Sequence, residues 1–199
     1  GDRKGLPVRI SGGEARGIPL EVPKGDRVRP ATDGMRQAVF SSLGAFVPGA
    51  TFLDLFAGSG AYGLEAFSRG AAGGVFVEKD ARTCGFIRQN IAAVAKSVGR
   101  AAEAMQVVSA DASRVLPGEV PDLVFIDPPY DLIAETGPAL LGRLHAFLAP
   151  KPDALVVFEM PGELAVTAPG WTCVKQLGKG ARQPTVRIFK ADPVSPAPA

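Results

Sequence analysis

From Thr51 onward the sequence repeats one pattern: a short, almost wholly apolar run, a turn, and a longer amphipathic segment. The apolar runs are Thr51–Phe56, Gly74–Glu78, Met105–Ser109, Asp122–Asp127 and Ala154–Met160. Between them, Leu64–Arg69, Asp80–Lys96 and Leu132–Leu148 carry helical spacing, and Asp111–Leu116 reads as a further short helix. Strands that are apolar at nearly every position belong to sheets buried on both faces, and strand–helix alternation builds such sheets in parallel. The pattern therefore predicts an α/β chain, with a mostly parallel sheet and helices on both faces. Trp171–Lys190 reads as two more strands around Gly178–Pro184, an antiparallel C-terminal hairpin that brings the sheet to seven strands.

The residues before Thr51 follow a different rhythm. Val8–Val22, broken by Gly12, Gly13 and Gly17, predicts a small β-hairpin. Pro23–Pro30 is a basic connector, and Thr32 is placed as N-cap of a helix running from Asp33 to about Phe46. The expected division is a basic β-hairpin extension over residues 1–30, one α/β domain over 31–191, and a Pro/Ala-rich disordered tail over 192–199.

Charge is distributed in the same blocks. Residues 1–36 carry eight Lys/Arg against five Asp/Glu, residues 37–174 nine against fourteen, and residues 175–199 five against one. An acidic middle between two basic ends suits a ligand-binding core flanked by segments that touch phosphates. A single histidine, His145, and two distant cysteines, Cys84 and Cys173, cannot assemble a Cys/His zinc site, and no metal is expected. No apolar run is long enough to span a bilayer, and no secretory pattern opens the chain, so a soluble, cytoplasmic protein is expected.

Asp54-Leu55-Phe56-Ala57-Gly58-Ser59-Gly60-Ala61-Tyr62-Gly63 contains G-x-G-x-x-G at the end of the first strand, and Glu78 closes the next. A nicotinamide dinucleotide fits that spacing, with the acid on ribose hydroxyls. Asp54 favours another ligand, because a carboxylate ahead of the turn opposes a pyrophosphate and suits a cationic amino-acid tail. S-adenosylmethionine has such a tail, a ribose and an adenine. The expected cofactor contacts are Asp54, Phe56, Ala57, Gly58, Ser59, Gly60 and Gly63, then Glu78 and Lys79, then Asp111 and Ala112 after the third strand.

The fourth strand runs into Asp127-Pro128-Pro129-Tyr130. Two prolines make a rigid loop, useful where geometry matters. An exocyclic amino group on a base is a poor nucleophile, because its lone pair is delocalised into the ring. Asp127 and the Pro128 carbonyl can accept its two N–H bonds and turn the lone pair toward a methyl donor, while Tyr130 offers a flat face to an extruded base. Asp127, Pro128, Pro129 and Tyr130 are the expected catalytic residues.

Together these motifs resemble the class I, Rossmann-like amino-methyltransferases. More narrowly, the chain resembles the bacterial family that methylates guanine N2 in small-subunit (16S) ribosomal RNA. The resemblance is carried by Arg9-Ile10-Ser11-Gly12-Gly13 with Arg16-Gly17, by Arg29-Pro30-Ala31-Thr32-Asp33 with Arg36, and by Phe56–Gly60 continuing through Gly63–Ala66 to Ser68–Ala71. It implies S-adenosylmethionine as cofactor, and Arg9, Arg16, Arg29, Thr32 and Arg36 as the RNA-facing set. It implies a substrate dressed by ribosomal proteins in an assembling 30S particle; a monomeric enzyme is expected. Gln37, Ser41 and the Gly180–Pro184 turn depart from the family pattern. An adenine-N6 methyltransferase, a protein-amide methyltransferase and a non-catalytic RNA-binding assembly protein remain the alternatives.

Overall fold

A computed structural model describes residues 8–23, 32–164, 166–178 and 184–193. Seven strands form one sheet: β1 (Thr51–Leu55), β2 (Gly73–Glu78), β3 (Met105–Ser109), β4 (Leu123–Ile126), β5 (Leu155–Pro161), β6 (Trp171–Leu177) and β7 (Pro184–Ala191). Their spatial order is β3-β2-β1-β4-β5-β7-β6. The first five are parallel, and β7 inserts antiparallel between β5 and β6. Among the described residues, four α-helices accompany the sheet: α1 (Thr32–Leu43), α2 (Ala61–Ser68), α3 (Ala81–Val98) and α4 (Tyr130–Phe147).

Alternation along the strands divides the core in two. Phe52, Phe76, Phe125 and Val157 point to one face, where Phe40 of α1, Phe67 of α2 and Ile87 of α3 meet them. Their neighbours Leu53, Val77, Val124 and Phe158 point to the other face, where Leu140, Leu141 and Leu144 of α4 cover them. A two-residue side-chain period with both sides buried is why these strands read as continuous apolar runs.

The N-terminal segment is a minimal hairpin, with one antiparallel bridge between Arg9 and Pro19. Ile10 N–H donates to Ile18 O at 3.0 Å and Leu20 N–H to Val8 O at 2.8 Å, whereas Pro19 has no N–H to extend the ladder. Val8, Ile10, Ala15 and Leu20 are buried in the same cluster as α1–α3. A Cβ on Gly13 would sit 2.2 Å from Ser68 O, so only glycine lets this segment lie against the end of α2.

Three local expectations are corrected. Asp111–Leu116 is a turn rather than a helix: the N–H groups of Arg114 and Val115 both reach Asp111 O. The Asp111 side chain competes for Ser113, and Pro117 with Gly118 ends the segment before a second turn can form. Helix α4 begins at Tyr130, two residues earlier than its periodicity indicates, with Pro129 as its N-cap. Asp192 is held by the main chain, its N–H donating to Gly170 O at 2.8 Å, so the folded chain continues past 191. The Pro23–Pro30 connector beyond Pro23, the turn residues 179–183 and the tail from 194 lie outside the described residues.

Candidate active site

In an open parallel sheet the carboxyl ends of the strands face a crevice where the strand order reverses. Here that point lies between β1 and β4, because the chain leaves β1 for β2 on one side and later returns to β4 on the other. A cavity of about 940 Å³ lies there.

One half of the cavity is built by β1–β3. Asp54, Phe56, Ala57, Gly58 and Ser59 line it from β1 and its turn, Glu78 and Lys79 from β2, and Asp111 and Ala112 from the segment after β3. The turn is tight: Phe56 has φ 56°, Gly58 φ 56° and Gly60 φ 82°. A left-handed phenylalanine is strained, and the surrounding bonds hold it. Ala57 N–H donates to Val77 O at 3.0 Å, and Gly60 N–H to Ala57 O at 2.8 Å.

The acids of this half also hold main chain. Asp54, 2% exposed, accepts the Gly63 N–H at 3.0 Å. Burial pushes its carboxyl up to about 8, the Gly63 bond works the other way, and the Glu78 charge adds to the rise. Glu78 accepts from Gly58 N–H at 3.1 Å and from Asp80 N–H at 2.9 Å. Asp111 accepts from the Ser113 hydroxyl and N–H, bonds that hold its carboxyl below the usual range. Gly60 and Gly63 are not in the wall. A Cβ on Gly63 would lie 2.5 Å from the Phe76 ring and 2.6 Å from that of Phe52, so the third glycine lets α2 lie close on the sheet.

The other half is built by β4, β5, α1 and α2. Asp127, Pro128, Pro129 and Tyr130 follow β4 along the wall. Tyr130, the first residue of α4, is 38% exposed. Among the residues that sequence reasoning did not single out for the site, Tyr62, Glu159 and Ala61 join them. Tyr62 stacks on Phe125 at 5.4 Å between centroids, and its hydroxyl donates to Glu159 Oε2 at 2.9 Å. The available signal was Glu159 itself, a lone carboxylate within the otherwise apolar β5.

Arg36 overturns an expectation. It is no surface residue: its side chain is 1% exposed and lines the cavity. One nitrogen, Nη2, donates to Arg9 O at 2.7 Å and to Asp33 Oδ1 at 2.5 Å, while Nε lies 3.7 Å from Glu65 Oε1. Glu65 is the reason. Fully buried, it accepts from Ser11 N–H and Oγ–H, from Gly12 N–H and from Arg69 Nε–H, and a buried carboxylate requires cations beside it. Of the other residues expected to face RNA, Arg9 and Arg16 are exposed and outside the cavity wall. Arg29 and the Thr32 side chain lie outside the described residues. No group of three or more His, Cys, Asp or Glu among the described residues could hold a metal ion.

Comparison with known proteins identifies the family. The family model described as conserved hypothetical protein 95 matches residues 8–188. The chain is 33% identical over 189 residues to ribosomal RNA small subunit methyltransferase D of Escherichia coli (strain K12), covering 93% of this chain and 90% of that one. It is 32% identical over 177 residues to the protein of the same name from Haemophilus influenzae, covering 87% and 89%. The solved structure of Escherichia coli yhhF superposes with a TM-score of 0.76 at 30% identity, covering 94% of this chain and 99% of that one. The chain belongs to the conserved hypothetical protein 95 family, that of ribosomal RNA small subunit methyltransferase D.

Proposed function

We propose that this protein methylates the exocyclic N2 amino group of a guanine in small-subunit ribosomal RNA, using S-adenosylmethionine. The observation that carries the reading is a single cavity shared by Asp54 and its glycine turn on one side and by Asp127–Tyr130 on the other. The names of the relatives support ribosomal RNA as substrate.

The residues present fit the cofactor. Asp54 is a buried carboxylate on the cavity wall, with no cationic partner among the described residues and an affinity for protons raised to about 8. Such a group favours a ligand that brings a positive charge, as an α-ammonium does. Glu78 and Lys79 are placed for a ribose, and Asp111 with Ala112 for an adenine. When bound, S-adenosylmethionine supplies a methyl group on a sulfonium that is its own leaving group. The protein then has only to position the acceptor. Asp127 and the Pro128 carbonyl accept hydrogen bonds from the two amino N–H groups, leaving the nitrogen lone pair directed at the methyl, with one of these protons leaving through Asp127 after transfer, and Tyr130 stacks on the base.

Arg9 and Arg16 contact the RNA backbone from the exposed face of the N-terminal segment. The monomer acts on a partly assembled subunit in the cytoplasm. Labelled S-adenosylmethionine, offered to small-subunit particles and to naked ribosomal RNA from cells lacking the protein, tests the reading. Label in N2-methylguanosine is the expected result. Label confined to N6-methyladenosine or to protein would overturn it.

A further inference from the structure

The acceptor side of the cavity contains more polar structure than an amino group requires. Strands β4 and β5 pair Ile126 with Phe158, so the residues that follow, Asp127 just beyond β4 and Glu159 within β5, lie at the same level of the sheet. Both line the cavity, with Tyr62 and Arg36 beside them. Glu159 is 2% exposed and Tyr62 6%. The Tyr62 phenol is pushed well above its ordinary value by burial first and then by the Glu159 and Asp127 charges, while Arg36 acts against that rise. Glu159, Asp127 and Arg36 thus each lie within electrostatic reach of the Tyr62 hydroxyl. Tyr62 is a protonated donor that fixes Glu159, and Arg36 lines the same cavity. Arg36 is tied to Asp33, to Arg9 O and to nearby Glu65, while its Nε and Nη1 have no hydrogen-bond partner among the described residues.

On the guanine-N2 reading above, we infer that Glu159, oriented by Tyr62, accepts the N1–H of the target guanine while Asp127 accepts from the adjacent amino group, and thereby selects guanine. In guanine, N1–H and the 2-amino group are neighbouring donors on one edge, and two carboxylates side by side match them. A carboxylate offers about four lone-pair sites, so the bond from the Tyr62 hydroxyl does not by itself exhaust Glu159. A base that carries the 2-amino group but no proton on N1 presents an acceptor to Glu159, and two acceptors repel.

2,6-Diaminopurine is such a base. Small-subunit particles carrying either guanosine or 2,6-diaminopurine at the methylated position are assayed with the full-length protein. The wild-type protein should prefer guanosine by about 10- to 100-fold, the scale of a hydrogen bond to a charged group. Glu159→Gln keeps an acceptor for Tyr62 and adds an N–H that can meet an unprotonated N1. It should slow transfer to guanosine and bring the two substrates within a few-fold, with S-adenosylmethionine affinity unchanged. Tyr62→Phe should relax the preference partly. Equal wild-type rates on both bases, with label in the 2-amino group, would overturn the role of Glu159 and leave the guanine-N2 reading intact. Label at N6 of adenosine would overturn both.

Discussion

The two halves of the cavity are built on different principles. On the cofactor side, each acid serves the main chain next to the ligand position: Asp54 holds Gly63, Glu78 holds Gly58 and Asp80, and Asp111 holds Ser113. These partners are close in sequence or joined by one β–α–β step, so the geometry is carried by a compact motif. On the acceptor side, Arg36, Tyr62, Asp127 and Glu159 come from α1, α2, the residue after β4 and the interior of β5. Their bonds include one between side chains of distant elements, the Tyr62–Glu159 pair. On the proposed reading, a compact loop holds the donor while a pocket assembled from distant elements chooses the acceptor, so the two tasks should be separable.

The largest test of that separation is Asp127→Ala. Transfer should fall by about a thousand-fold, the scale of removing one aligned hydrogen-bonding group from a reacting centre. Cofactor affinity, measured by calorimetry, should stay within a few-fold. A parallel loss of cofactor binding would show that the halves are one unit.

Next is Glu65→Ala, which removes no cavity residue. Leaving Arg36 and Arg69 without the Glu65 carboxylate, and Ser11 and Gly12 without their acceptor, should destabilise the protein by about 3 kcal/mol in denaturant titrations. It should also loosen the N-terminal segment. A change below ~1 kcal/mol would mean that this ion cluster contributes little to the wall.

The cofactor side is tested by pH. With its carboxyl raised to about 8 from an ordinary 3.8, Asp54 keeps its proton in the folded protein where the unfolded chain has lost it. The ligand-free protein therefore loses stability from this group as pH rises between those values. A cation bound at Asp54 must displace that proton, so S-adenosylmethionine affinity should rise with pH, by up to about tenfold per unit, and level off above 8. Asp54→Asn should flatten the profile. A pH-independent wild-type affinity would remove Asp54 from the cation site.

The smallest effect belongs to the outer surface. Reversing Arg9 and Arg16 together should weaken RNA binding several-fold and lower the salt slope by about 2, with cofactor affinity unchanged. Unchanged binding would place the RNA surface elsewhere.

Strand-by-strand, the fold was legible because the central parallel strands are buried on both sides and therefore mostly apolar, whereas the edge strand β3 exposes Gln106 and Ser109. The misread segment, Asp111–Leu116, fails for a local reason: Asp111 bonds Ser113, and the helical signal was too short to outweigh that bond. Arg36 was misread because a basic residue in a basic segment gives no sign of the carboxylate it will meet. Its partner Glu65 lies on another helix. Glu159 was visible as an anomaly in β5, but its pairing with Tyr62 crosses the interior of the molecule.

The sequence alone determined the order of strands and helices, the glycine turn, and the acids that end β1, β2 and β4. These depend on periodicity and on bonds to nearby main chain, which a short stretch of residues specifies. Only the tertiary structure decided which charges are buried, that Arg36 faces inward, and that Glu159 stands beside Asp127. Those depend on sheet register and helix docking, where energy comes from excluding water around groups contributed by distant parts of the chain.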